Sequence, residues 1–193
     1  KKIQVLLMFA GVFCCIAMSM PQVHIVPLCI DSGFGLAVGT EILSFMLFAA
    51  VTSRVLFGFL SDKIGPIQTL ILGSTLQAIS LSMFLPFNSQ LSLYIVAICF
   101  GLSQGGIVPI YAVIISKFLP ENEVAERVGL LIFATIVGMS LGGWLSGEIY
   151  DYTNSYQMAF LNGIFWNLIN LLIMFYLFLK YKQSIKSVDK YEY

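Results

Sequence analysis

The sequence predicts an all-α membrane protein of six transmembrane helices, arranged as two inverted three-helix repeats. Three observations predict it. The 193 residues are 59% hydrophobic and only 10% charged, against about 25% charged in soluble domains. Apolar runs long enough to cross a bilayer recur between short polar punctuations. Short motifs in the first three runs return, in the same order, in the last three. A soluble fold of this size could not hide so much apolar surface from water, but lipid tails are as apolar as the side chains.

The first span covers about 3–29 and is followed by the turn Asp31-Ser-Gly-Phe-Gly35. It is too long for a signal peptide and lacks a small-residue cleavage site. The second covers about 36–60 and ends at Ser61-Asp62-Lys63-Ile-Gly65-Pro66. The third, about 67–85, is closed by Pro86-Phe-Asn88-Ser, and the fourth, about 91–118, by Leu119-Pro120-Glu121-Asn. The fifth covers about 124–150 and the sixth about 156–181, leaving 182–193 as a tail. A natural chain that starts at Lys1 is expected to be processed or truncated.

Charge supplies the orientation. Lys1, Lys2, Lys63, Lys117, Arg127, Lys180, Lys182, Lys186 and Lys190 share one side if the chain crosses at every span. The opposite turns, around 30–36, 86–90 and 150–155, contain no Lys or Arg. The positive-inside rule then places both termini and the tail in the cytoplasm, with the protein multi-pass in the plasma or inner membrane. Ten basic residues balance ten acidic ones, so bulk charge gives no argument for nucleic acid.

The repeat is visible in two pairs of motifs. His24-Ile-Val-Pro27 in the first span matches Gly106-Ile-Val-Pro109 in the fourth. Gly58-x-x-x-Asp62 ends the second span as Gly147-x-x-x-Asp151 ends the fifth. With an odd number of spans per unit, the two units point in opposite directions. Pro27 and Pro109 remove backbone hydrogen bonds inside the bilayer, which suits bent helices that line a cavity or gate it, or simply a kink for packing.

The most specific signal is Arg54-Val-Leu-Phe-Gly58-Phe-Leu-Ser-Asp62-Lys63-Ile-Gly65. It resembles G-x-x-x-D-[RK]-x-G, the cytoplasmic loop motif of major facilitator transporters. The resemblance implies the C-terminal six-helix half of a twelve-helix fold, partnered by an N-terminal half. It also implies a cytoplasmic gate: Gly58 would admit a neighbouring helix, and Asp62 would cap a helix or pair with a basic residue. The basic residues that often follow the last glycine are replaced here by Pro66 and Ile67.

Arg54 is the one charged residue deep in a span, about 12 Å from Asp62 at 1.5 Å per residue. An arginine there should face protein or a watery cavity, and its guanidinium can grip a carboxylate through two parallel bonds. The segment resembles helix eight of monocarboxylate and oxalate–formate carriers, where an arginine holds the substrate carboxylate. Two departures stand out. Ala50 occupies the place where animal monocarboxylate carriers have an aspartate, and the fifth span lacks the lysine of oxalate carriers. A single buried cation points to a monoanion.

Other candidates follow from residue type. Gln22, Gln104, Tyr111 and Ser140 are expected as polar groups of the cavity. His24, the only histidine, and Glu41, near the start of the second span, are expected as proton-coupling groups. Glu41 lies too far along the helix to pair with Arg54. Gly138-x-x-x-Gly142, Gly143-x-x-x-Gly147 and Gly101-x-x-x-Gly105 offer small-residue faces for close helix packing. Asn162, Asn167 and Asn170 are expected to hold helices together. The four cysteines lie in or beside apolar runs and read as core residues. The sequence contains no phosphate-binding loop, no His/Cys metal constellation and no enzyme signature, so neither cofactor nor metal is expected.

The expected function is alternating-access transport of a small organic monocarboxylate, coupled to protons, with spans one, two, four and five lining the path. A non-transporting scaffold or sensor on the same fold, and a carrier of uncharged solutes or drugs, are the alternatives.

Overall fold

The computed structural model describes residues 2–86, 89–118 and 120–189, and their regular structure is helical throughout. The helices are α1 (Lys2–Asp31), α2 (Gly35–Ile64), α3 (Pro66–Met83), α4 (Gln90–Gln104), α5 (Ile107–Phe118), α6 (Val124–Thr153) and α7 (Tyr156–Asp189), with a 3₁₀ turn at Glu121–Glu123. Five stretches are long and apolar enough to cross a membrane: Ile3–Asp31, Gly35–Ile64, Gln90–Phe118, Val124–Thr153 and Tyr156–Tyr181. The chain is therefore a multi-pass integral membrane protein. α3 falls short of that measure because it carries Thr69, Ser74, Gln77 and Ser80, all buried inside the bundle.

Two apolar clusters stack along the bundle, and the chain runs between them at every pass. One holds Leu7, Phe57, Leu70, Ile115, Leu131 and Leu177. The other holds Cys29, Ile42, Leu81, Leu93 and Phe160. Thus α1 begins in the first and ends in the second, α2 returns, and α3, α4–α5, α6 and α7 continue the alternation. α1 packs chiefly on α6 and α7, α2 on α4, and α3 on α4, α5 and α7.

Glycines set two of these seams. A Cβ on Gly101 or Gly105 would lie 2.2 Å or 2.1 Å from the carbonyl oxygens of Met46 and Ala50 on α2. A Cβ on Gly138 or Gly142 would lie 2.5 Å or 2.4 Å from the carbonyls of Val12 and Ile16 on α1. Backbones this close leave room only for hydrogen. The expectation for the second glycine pair of α6 needs correction. A Cβ on Gly143 or Gly147 would meet only ordinary contacts, at 3.4 Å with Val23 and 3.6 Å with His24.

The fourth span, one apolar stretch from Gln90 to Phe118, is built of two helices, α4 and α5, separated at Gly105–Gly106. Pro109 has no N–H for the Gly105 carbonyl four residues earlier, and its ring crowds that carbonyl. Ser53 of α2 donates to the Leu102 carbonyl (2.6 Å) beside the break. By contrast, α1 stays helical through Pro21 and Pro27. The expected tail is helical as far as Asp189, while Lys1, Asn88, Leu119 and Lys190 lie outside the described residues.

A Cβ added to Gly58 would meet nothing within 4 Å among the described residues, so no described helix approaches it. Asp62 caps no helix: it lies in the last turn of α2, and α3 begins after Gly65 without a side-chain cap. Gly65 does have a fixed task. Its φ of 91° and ψ of 152° turn the chain sharply into Pro66, the first residue of α3, a conformation open essentially to glycine alone.

Candidate functional site

A cavity of about 470 Å³ opens between α1, α2, α4–α5 and α6. The break in the fourth span helps to form it, since Gln104, Gly105, Val108 and Pro109 all line it. Met18 and Gln22 come from α1, Arg54 from α2 and Thr135 from α6, among mainly apolar neighbours. Gln22 Nε2 donates to Gln104 Oε1 (2.8 Å), tying α1 to α4 across the cavity wall. The Thr135 hydroxyl donates to the Ile132 carbonyl (2.7 Å), which leaves its oxygen able only to accept.

Arg54 is exposed on the cavity rim and has no ion pair among the described residues, where Arg127 with Glu123 is the one salt bridge. That other arginine is fully engaged: it donates to Glu123 and to Gln4, joining the start of α6 to the start of α1. The contrast is chemical. Arg127 is neutralised locally, whereas Arg54 brings an uncompensated guanidinium to a space of a size that suits small ligands.

The remaining candidates fall elsewhere. Tyr111 is fully buried, so it is not a cavity group. Its hydroxyl donates to Asn170 Oδ1 (2.8 Å), Asn170 Nδ2 donates to the Ser74 hydroxyl (2.9 Å), and Asn167 Nδ2 donates to the Ser74 carbonyl (3.0 Å). This network clamps α5, α3 and α7 together. Tyr111→Phe is expected to lower stability by about 0.5–1.5 kcal/mol while leaving ligand affinity unchanged, as thermal unfolding in detergent and a binding isotherm would show. Ser140 is exposed, donates to the Ile136 carbonyl (3.0 Å) and does not line the cavity.

His24 Nε2 lies 3.0 Å from the Gly143 carbonyl, so that nitrogen donates and the imidazole ties α1 to α6. Glu41 accepts from the Tyr94 hydroxyl (2.7 Å) near the other end of α2. Neither lines the cavity. Asp62 and Lys63 are exposed at the end of α2 and form no salt bridge among the described residues.

Sequence reasoning misses three features. Thr135, with Met139 one turn further on, presents the α6 wall of the cavity. Their i, i+4 spacing, shared by Ile132 and Ile136, is a signal that points to one helix face. Asp31 reads in the sequence only as a loop carboxylate. It accepts from both Tyr150 and Tyr156 (2.8 Å each), whose rings stack 4.2 Å apart, and so gathers the ends of α1 and α6 and the start of α7. The bond from Arg127 to Gln4 joins residues 123 apart and leaves no local trace.

The architecture is thus that of a multi-pass helical membrane protein with a polar-tipped cavity between four of its spans. The chain belongs to the major facilitator superfamily, whose family model matches residues 7–191. It is similar to monocarboxylate transporter 13 of Rattus norvegicus, 29% identical over 143 residues that cover 73% of this chain and 33% of the relative. It is also similar to the MFS-type transporter opdF of Penicillium oxalicum, 29% identical over 168 residues, 82% of this chain and 40% of that protein. An uncharacterized MFS-type transporter of Escherichia coli, YhjX, is 24% identical over 92 residues, covering 47% of this chain and 23% of its own. The chain therefore spans well under half the length of these relatives.

Proposed function

We propose that this chain is the C-terminal six-helix half of a secondary transporter that carries a small organic monocarboxylate by alternating access. The observation that carries the reading is Arg54, a cation without a carboxylate partner among the described residues, on a cavity otherwise lined by apolar side chains, two amides and one hydroxyl. A guanidinium in a membrane-spanning helix is costly unless something neutralises it. A bound carboxylate does so through paired, charge-assisted hydrogen bonds. Apolar walls suit the hydrocarbon part of such a substrate, and one cation matches one negative charge. The name of the rat relative, a monocarboxylate transporter, agrees with this choice.

The packing supports two inverted three-helix repeats. Exchange α1 with α4–α5, α2 with α6, and α3 with α7: the contact of α1 on α6 becomes that of α4 on α2, α1 on α7 becomes α4–α5 on α3, and α3 on α7 maps onto itself. The open space at Gly58 supports an N-terminal half as partner, since a helix of that half would find room there. Both termini face the cytoplasm in this reading, with the bundle in the cell membrane. Proton coupling belongs to the same proposal. His24, two residues from Gln22, is its candidate in this half, and Glu41 stands further out beside Tyr94.

The test is uptake of labelled short-chain monocarboxylates by the intact transporter in proteoliposomes, driven by an inward proton gradient. Saturable uptake, competed by other monocarboxylates and not by the corresponding amides, is expected. Equal competition by the neutral amides, or no uptake of any carboxylate, would remove the anion from the reading and leave only the family.

A further inference from the structure

We propose that the groove between the end of α6 and the start of α7 holds the ammonium headgroup of a zwitterionic phospholipid. The groove has a volume of about 690 Å³ and is lined by Trp144, Glu148 and Tyr152 from α6 and by Met158, Asn162 and Phe165 from α7, among others. At about 100° per residue, its α6 residues centre on the side of that helix opposite to Ile132, Thr135, Ile136 and Met139, which line the cavity. The groove is therefore turned away from the solute cavity, on a flank of the membrane bundle.

Glu148 is the reason to look for a ligand. It lies within the membrane-spanning stretch Val124–Thr153 and forms no salt bridge among the described residues. Near the end of that stretch, at headgroup level, an unpaired carboxylate attracts a cation. The chain offers none at this end of the bundle: the turns around 30–36, 86–90 and 150–155 contain no Lys or Arg. The cation must then come from outside this chain.

The neighbours of Glu148 specify its kind. Trp144 is 63% exposed and Tyr152 85% exposed, one turn to either side of Glu148. A carboxylate flanked by two aromatic rings suits an organic ammonium, which the charge attracts and the ring faces stabilise. Tryptophan and tyrosine near a helix end also sit at the level of lipid headgroups. Met158 and Phe165 continue the groove as apolar surface, which suits the acyl chain of the same molecule. An anionic phospholipid brings no cation, and its phosphate would face Glu148 unscreened by any protein charge.

The groove and the solute cavity share no residue, so failure here leaves the transport reading untouched. The experiment is native mass spectrometry of the purified, delipidated protein given phosphatidylethanolamine, phosphatidylcholine or phosphatidylglycerol with identical acyl chains. Retention of the two ammonium lipids is expected to exceed that of phosphatidylglycerol by about ten-fold. Glu148→Gln should erase the preference, Glu148→Lys should reverse it towards phosphatidylglycerol, and Trp144→Ala, at an exposed position, should weaken it without disturbing the fold. Equal retention of all three lipids by the unaltered protein, or a preference that survives Glu148→Gln, overturns the proposal.

Discussion

Replacing Arg54 by glutamine is expected to weaken carboxylate binding by about ten- to a hundred-fold. A hydrogen bond to a charged group is worth about 1.5–3 kcal/mol, and each 1.4 kcal/mol is about a factor of ten in affinity. Glutamine keeps most of the length and one amide donor pair but loses the charge and the fork. Arg54→Lys keeps the charge and loses only the planar, two-point geometry, so its affinity should fall between the two. Fold stability should not fall in either variant, because Arg54 is exposed on the rim and has no ion pair among the described residues to lose. Binding isotherms with a labelled monocarboxylate, set beside thermal unfolding in detergent, separate these effects. A folded Arg54→Gln protein with unaltered affinity would show that the guanidinium is not the anion ligand.

Five spans are legible because each is a long apolar run with polar ends, the usual pattern of a bilayer-crossing helix. What the runs do not reveal is which of two proline-bearing helices breaks. Pro27 and Pro109 stand in matching motifs, yet α1 continues and the fourth span divides. The difference lies in Gly105 and Gly106, which supply no side-chain packing to hold a helix turn together. α2 also presses on them, with Ala50 against Gly105 and Phe57 against Gly106. That is a tertiary effect with only a faint local sign.

The cavity is partly legible for a similar reason. Arg54, Gln22 and Gln104 are polar residues in apolar helices, so each has to face something polar, and the structure brings all three to one space. The same logic picks Tyr111 and Ser140, which the structure places elsewhere. Polarity says that a partner exists but not which one: Tyr111 finds Asn170 on α7, and Ser140 finds a carbonyl of its own helix. Thr135 and Met139 escape notice because neither residue type announces a site. The junction of Asp31, Tyr150 and Tyr156 depends on where three helix ends meet, which no single segment encodes.

Adding one methyl group should have opposite effects at two glycines. Gly105→Ala is expected to destabilise the bundle by about 1–3 kcal/mol or more, the scale of overpacking a tight core. The new Cβ would sit 2.1 Å from the Ala50 carbonyl oxygen and 2.5 Å from the Ala50 Cα. Both are backbone atoms, so no rotamer change can relieve the clash, and α2 and α4 must move apart. Because lipid provides no hydrophobic drive to bring them back, the lost close packing is not recovered. The Ser53 bond to the Leu102 carbonyl, which crosses the same seam at 2.6 Å, should be lost with it. Gly101→Ala meets the Met46 carbonyl of the same seam, so the double variant should cost less than the sum of the two, since the first change already opens the interface. Gly58→Ala, in the interior of α2 with nothing within 4 Å, should instead stabilise this chain by about 0.4–1 kcal/mol by restricting the unfolded backbone. Unfolding of the three single variants and the double variant in one detergent tests the signs together. A neutral Gly105→Ala would mean that the α2–α4 seam is looser than its glycines imply.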